Sequence, residues 1–282
     1  NQLAFDLTTA QKKVIDDIFS DLNKDHPMLR LVQGDVGSGK TVVAAVAAMV
    51  VINNGFQVAL MAPTEILAEQ HYVNFKQWFD EENCVLLTGQ DKGKKREQKL
   101  MQISTGSCQV IIGTHALFQD AVEFKDLVLL VVDEQHRFGV HQRLALREKG
   151  SKNNCVPHQL IMTATPIPRS LAMTAYADLD YSAITELPKG RKPVKTVVVS
   201  TARRDEVIQR IKTACEKGEQ AYWVCTLVEE SEFLQCQAAE VAAEQLTTEL
   251  KNVCVGLVHG RMKPADKQSV VNQFKNREID LL

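Results

Sequence analysis

Short apolar runs alternate with longer amphipathic stretches through most of the chain. Mostly apolar runs of strand length occur at Leu29–Gln33, Val58–Ala62, Val85–Leu87, Gln109–Gly113, Leu127–Asp133 and Gln159–Thr163, and several are apolar throughout. Such runs suit strands buried on both faces. Between them, helical spacing runs over Gln11–Leu22, Thr41–Asn53, Glu65–Phe79, Lys94–Ser104, Gln142–Lys149 and Pro168–Ala177. This alternation predicts an α/β fold with a parallel sheet covered by helices. The segment Glu186–Val194 holds two prolines and a glycine and reads as a hinge or linker. A second α/β series follows, with strands expected at Val194–Val199, Ala221–Thr226 and Val253–His259. Its helices are expected at Arg203–Lys217, Glu232–Leu250 and Pro264–Lys275. The expected organisation is a first domain over 1–185, a linker over 186–194, and an incomplete second domain over 195–282.

Composition narrows the class. The 282 residues are 45% hydrophobic and 24% charged, which fits a globular chain with real cores and not a disordered one. The longest apolar run, Val42–Ile52, is too short to span a bilayer and suits a buried helix. The net charge of −2 excludes a general polycation, so nucleic-acid binding would need local patches. The seven cysteines form no C-x-x-C pair, and most sit in apolar stretches, so they read as reduced, buried thiols.

Chemistry enters at Gly34-Asp-Val-Gly-Ser-Gly-Lys-Thr41, which fits G-x-x-x-x-G-K-[ST] between a predicted strand and a predicted helix. Gly34, Asp35, Val36, Gly37, Ser38 and Gly39 would form a loop whose backbone N–H groups face phosphates. The helix N-terminus adds partial positive charge. Lys40 would reach the β- and γ-phosphates, and the Thr41 hydroxyl would ligate Mg²⁺. The apolar strand before Asp133-Glu134 ends in two carboxylates, where a doubly wound sheet opens its ligand crevice. Asp133 would hold Mg²⁺ through water, and Glu134 would polarise the attacking water. The tract Asp91–Lys99 holds five cations against two acids and reads as a solvated helix start or a phosphate contact. Trp78 and Trp223 read as packing residues, and His71, His115 and His259 as ordinary structural histidines.

Further strings stand at strand ends: Ala62-Pro-Thr-Glu65, Gly113-Thr-His115, Asp133-Glu-Gln-His136 and Met162-Thr-Ala-Thr-Pro166. Together with the phosphate loop, this set resembles the motifs of superfamily 2 helicases and translocases. The longer strings Asp133–Arg143 and Thr163–Asp180 resemble the RecG family, bacterial ATP-dependent DNA translocases that remodel stalled forks and Holliday junctions. The motor of transcription–repair coupling factor shares part of these strings and stays as the alternative, as does a non-catalytic nucleotide-binding module. The resemblance implies tandem RecA-like P-loop NTPase lobes with parallel sheets, ATP and Mg²⁺ as cofactors, and a cytoplasmic, monomeric motor on branched or duplex DNA. It implies that Gln11 contacts the adenine with Phe5 near it, and that Gln135 and His136 couple hydrolysis to motion through Thr163–Thr165. It further implies DNA contacts at Pro63, Thr64, Gly113, Thr114, His115, Arg137 and Arg143. Family members continue into motifs V and VI, so this stretch alone is expected to bind nucleotide but hydrolyse it poorly.

Overall fold

The computed structural model describes residues 6–134, 156–165, 179–186, 194–225 and 232–282. Two compact units divide the chain, Asn1–Lys192 and Pro193–Leu282. Among the described residues no helix is long and apolar enough to cross a membrane.

The first unit is built on a seven-stranded sheet in the order β3-β4-β2-β5-β6-β1-β7. Its strands are β1 (Leu29–Gly34), β2 (Gln57–Met61), β3 (Cys84–Leu87), β4 (Val110–Gly113), β5 (Leu127–Asp133), β6 (His158–Thr163) and β7 (Asp180–Ile184). Every pairing is parallel. The helices are α1 (Thr9–Leu22), α2 (Lys40–Asn53), α3 (Glu65–Lys76) and α4 (Gly93–Thr105).

Period-two alternation explains the two cores. Val58, Leu60, Val110, Ile112, Leu129 and Val131 face a cluster completed by α1, α2 and α3. Their neighbours Ala59, Met61, Ile111, Leu130 and Val132 face the other cluster, with Ile103 of α4, Leu117 and Phe124. Side chains of both parities are apolar because both faces are covered. Alanines 44, 45, 47 and 48 of α2 are all buried, so the helix that follows the phosphate loop can approach the sheet closely.

Helix α1 starts where its sequence says it should. Thr8 and Gln11 form a reciprocal capping box: the Thr8 hydroxyl accepts from the Gln11 N–H, and the Gln11 side chain accepts from the Thr8 N–H. Helix α3 ends at Lys76, three residues before the predicted Phe79. The rings of Phe75 and Phe79 stack with centroids 5.6 Å apart, so the last apolar residues still pack beyond the helix. Strand β7 is absent from the sequence-based expectations. Asp180-Tyr-Ser-Ala-Ile184 carries two polar residues, and as an edge strand it needs only one neighbour, β1.

The second unit holds α5 (Arg204–Glu216), α6 (Glu232–Glu249) and α7 (Pro264–Lys275), close to expectation. Its predicted strands do not form as such. Residues 194–200 carry no regular structure, and Val194, Val197 and Val198 are exposed. A strand exists only through its ladder, and no described segment pairs with this one. Among the described residues of the expected strands Ala221–Thr226 and Val253–His259 there are two parallel bridges, Ala221 with Leu281 and Val255 with Leu281, and Thr226 lies outside the described residues. A small core of Ile208, Cys215, Leu246, Leu250, Val253 and Leu281 unites this unit. Trp223 packs against it, with Arg204 over its ring, and Trp78 packs against the larger core.

Of the described cysteines, 84, 108 and 215 are buried free thiols, and burial pushes the first two up to about 11. Cys225 is half-buried and Cys254 exposed, which corrects the uniform expectation of burial. The predicted helices Gln142–Lys149 and Pro168–Ala177 lie outside the described residues, as does most of the linker.

A buried polar network ties α1 to the sheet. Arg30 donates to Asp21 at 2.5 Å and to Ser182 at 2.7 Å, and Ser182 donates to Asp17. Lys24 also pairs with Asp21. Burial pushes the Asp21 carboxyl up, but the bonds from Arg30 and Lys24 outweigh it and hold the group below its ordinary value. A depressed folded-state value stabilises above the unfolded value and is lost as pH falls through the folded one. We expect Arg30→Met to cost roughly 3 kcal/mol in urea unfolding at pH 7, since it leaves the buried Asp21 carboxylate with Lys24 as its sole cationic partner among the described residues. The difference from wild type should shrink below about pH 4, where Asp21 protonates in the unfolded chain; a cost that is independent of pH would contradict the network.

Candidate nucleotide site

Strands β1, β6 and β5 lie side by side, and their C-terminal ends share one edge. Gln33 of β1 sits opposite Thr163 of β6, and Met162 of β6 sits opposite Asp133 of β5. The phosphate-loop sequence therefore begins one strand away from Thr163 and two strands away from the carboxylates.

Residues 34–41 run from the end of β1 into α2. Gly37 and Gly39 have φ of 76° and 90°, a region costly for side chains, and Gly39 caps α2 without any side-chain bond. The helix thus opens without a side-chain cap on its first N–H groups. Gly34 is enclosed as well: a Cβ there would meet the Ser38 Oγ at 2.4 Å. Asp35, Val36 and Gly37 are exposed, while Ser38 is fully buried and its hydroxyl has no hydrogen-bond partner among the described residues.

The Lys40 ammonium has three donors, and it places two on the carbonyls of Gly34 and Asp35, at 2.7 and 3.1 Å. Burial pulls Lys40 down from the ordinary lysine value, while the charges of Asp133, Glu134 and Asp35 oppose that shift. A half-buried cation thus stands within electrostatic reach of both carboxylates. Thr41 follows in the first turn of α2, half-buried.

Gln11 belongs to the same site. Its Nε2 donates to the Ser38 carbonyl at 2.8 Å, and a Cβ on Gly39 would lie 2.2 Å from that nitrogen. The glutamine is buried, so the capping residue of α1 braces the loop.

Asp133 and Glu134 close the other side. Glu134 has φ of 51°, uncommon for a non-glycine residue, and its N–H donates to the Met162 carbonyl. Its carboxylate accepts from the Ala164 N–H at 3.3 Å and from the Thr163 hydroxyl at 3.5 Å. Thr163 and Thr165 in turn share a 2.9 Å hydroxyl bond. The acidic strand end and the threonine string thus touch directly. Asp133 Oδ2 receives His71 Nε2 at 2.8 Å, from α3. Sequence reasoning treated His71 as an ordinary structural histidine. The signal was present in the buried stripe Ala68, His71, Phe75, where one polar residue interrupts an apolar face.

The positions expected to touch DNA are divided in their exposure. Thr64 is exposed and its hydroxyl caps α3 by accepting from the Leu67 N–H; Pro63 is half-buried. His115 is exposed, whereas Thr114 is buried and its hydroxyl has no partner among the described residues, and a Cβ on Gly113 would strike the Leu87 carbonyl. In the basic tract, Lys99 is taken up by Asp91 and the Leu86 carbonyl, and Arg96 donates to Gln119. Lys92, Lys94 and Lys95 stay exposed. Phe5, Gln135, His136, Arg137 and Arg143 lie outside the described residues.

The DEAD/DEAH box helicase family model matches residues 8–174. The chain is 62% identical over 283 residues to ATP-dependent DNA helicase RecG of Haemophilus influenzae, covering 99% of this chain and 41% of that protein. It is 58% identical to the same helicase of Escherichia coli K12, at the same coverage. The chain thus spans about two fifths of the length of the curated relatives it matches. Among solved structures, RecG bound to a three-way DNA junction superposes with a TM-score of 0.78 at 38% identity, over 99% of this chain and 36% of that one. Mss116p bound to single-stranded RNA and AMP-PNP superposes at 0.72 with 20% identity, over 98% of this chain and 59% of that one, a likeness of fold alone. The sheet and its flanking helices are those of a RecA-like helicase lobe, and the resemblance to RecG read from the sequence holds. The chain belongs to the DEAD/DEAH box helicase family.

Proposed function

We propose that this chain is the nucleotide-driven core of a RecG-type DNA motor, binding Mg²⁺-ATP at the edge shared by β1, β6 and β5. The observation that carries the reading is Lys40, a half-buried ammonium resting on neutral carbonyls within electrostatic reach of Asp133 and Glu134. A triphosphate would supply the anion such a lysine serves, and the N–H groups at the start of α2, which no side chain caps, would add to the cradle. The donor set also suits Mg²⁺. Thr41 offers a hydroxyl, and Asp133 keeps one carboxylate oxygen clear of His71. When bound, the ion would neutralise charge on the phosphates.

Glu134 is the residue we assign to orient the attacking water. Its bonds to Thr163 and Ala164 give it a fixed direction and link the hydrolytic carboxylate to the adjacent strand end. Gln11 would read the nucleotide base from its place against Ser38. The units 1–185 and 195–282 would be the two lobes of the motor, joined through 186–194. Thr64, His115, Lys92, Lys94 and Lys95 are the exposed groups suited to DNA phosphates, a sequence-indifferent mode of binding. The names of the RecG relatives support branched or duplex DNA as the track, and a monomer acting in the cytoplasm completes the proposal.

The test is DNA-stimulated ATPase activity of the full-length protein. Lys40→Ala should lose nucleotide binding and hydrolysis together. Glu134→Gln should retain binding but lose roughly 10²–10⁴-fold in rate, as expected for removal of a general base. Forked DNA should stimulate wild type more than RNA does. Equal stimulation by RNA, or an unchanged rate in Glu134→Gln, would refute the corresponding assignment.

A further inference from the structure

His71 is held in an unusual way for a core residue. It is buried, it sits on the inward stripe of α3 between Ala68 and Phe75, and its Nε2 lies 2.8 Å from Asp133 Oδ2. Its other nitrogen, Nδ1, is buried without a hydrogen-bond partner among the described residues. A buried unpaired polar atom carries a desolvation cost. Leucine or methionine would fill the same space without that cost, so packing alone gives little reason for a histidine. What the imidazole supplies is one directed N–H on an acceptor-only carboxylate. The Asp133 side chain is mostly enclosed, and His71 is the only hydrogen-bond partner of its carboxylate among the described residues. With Oδ2 taken, Oδ1 is the carboxylate oxygen left without a hydrogen bond among the described residues.

We infer that His71 is a positioning residue for the cation site: its Nε2–H fixes the rotamer of Asp133 so that the second carboxylate oxygen is presented to Mg²⁺. This rests on the Mg²⁺-ATP reading above. A carboxylate free to spin must give up that freedom when the ion binds, whereas one clamped by a buried donor has already done so. Partners of this kind, one bond removed from a metal, typically change metal affinity 10–100-fold.

The experiment is equilibrium binding of a fluorescent ATP analogue to the full-length protein, titrated with Mg²⁺ and repeated in EDTA. His71→Leu should raise the Mg²⁺ concentration for half-maximal effect by about tenfold or more. Its affinity for the analogue in EDTA should stay as in wild type. His71→Gln, whose amide nitrogen reaches about as far as Nε2, should restore most of the wild-type Mg²⁺ requirement. A purely structural role would lower binding with and without Mg²⁺ alike. An unchanged Mg²⁺ requirement in folded His71→Leu overturns the inference while leaving the nucleotide reading intact. Wild type that ignores Mg²⁺, or does not bind the analogue, instead overturns the reading on which the inference stands. Should His71→Leu fail to fold, His71→Asn, one bond too short to reach, is compared with His71→Gln; equal Mg²⁺ requirements for the two overturn the inference.

Discussion

Three neighbouring strands carry the whole site, and their parallel register is the constraint on which the rest depends. β1 delivers the phosphate loop, β5 delivers Asp133 and Glu134, and β6 between them delivers Thr163. A parallel sheet covered on both faces offers its polar backbone ends only at its edges. Placing all three strand ends on one edge brings a cation, two carboxylates and the start of a helix to the same side of the sheet, without any loop having to reach across the fold.

The supporting contacts come from the helices packed on the sheet. Gln11 of α1 braces the Ser38 carbonyl, Gly39 leaves it room to do so, and His71 of α3 grips Asp133. The buried Arg30–Asp21 network then fixes α1 to β1 and β7, which keeps Gln11 where the loop needs it. Chemistry at the edge and stability beneath it therefore share elements. Loss of the network should disturb the loop indirectly, through the position of α1.

Much of this was legible from the chain alone. Six of the seven strands of the first unit stood out as apolar runs, because burial on both faces removes the polar residues that would blur the signal. The phosphate loop and the acid pair were legible because their chemistry restricts residue types at fixed spacing. The edge strand β7 was not, since one-sided pairing tolerates Asp180 and Ser182. The predicted strand at Val194–Val199 failed for the opposite reason: β-branched residues favour extended backbone, but propensity without a partner makes no ladder. His71 was passed over because a single histidine on a helix gives no local clue to a carboxylate 62 residues away in sequence.

The central claim is that the loop over 34–41 is a phosphate cradle completed by the acids of β5. Hydrogen–deuterium exchange with and without Mg²⁺-ATP tests it at the groups concerned, because the backbone N–H groups of that loop would themselves donate to the ligand. The account predicts slowed exchange over residues 35–42, accompanied by slowing at 133–134. Unchanged exchange there, or protection confined to another face of the sheet, would contradict it.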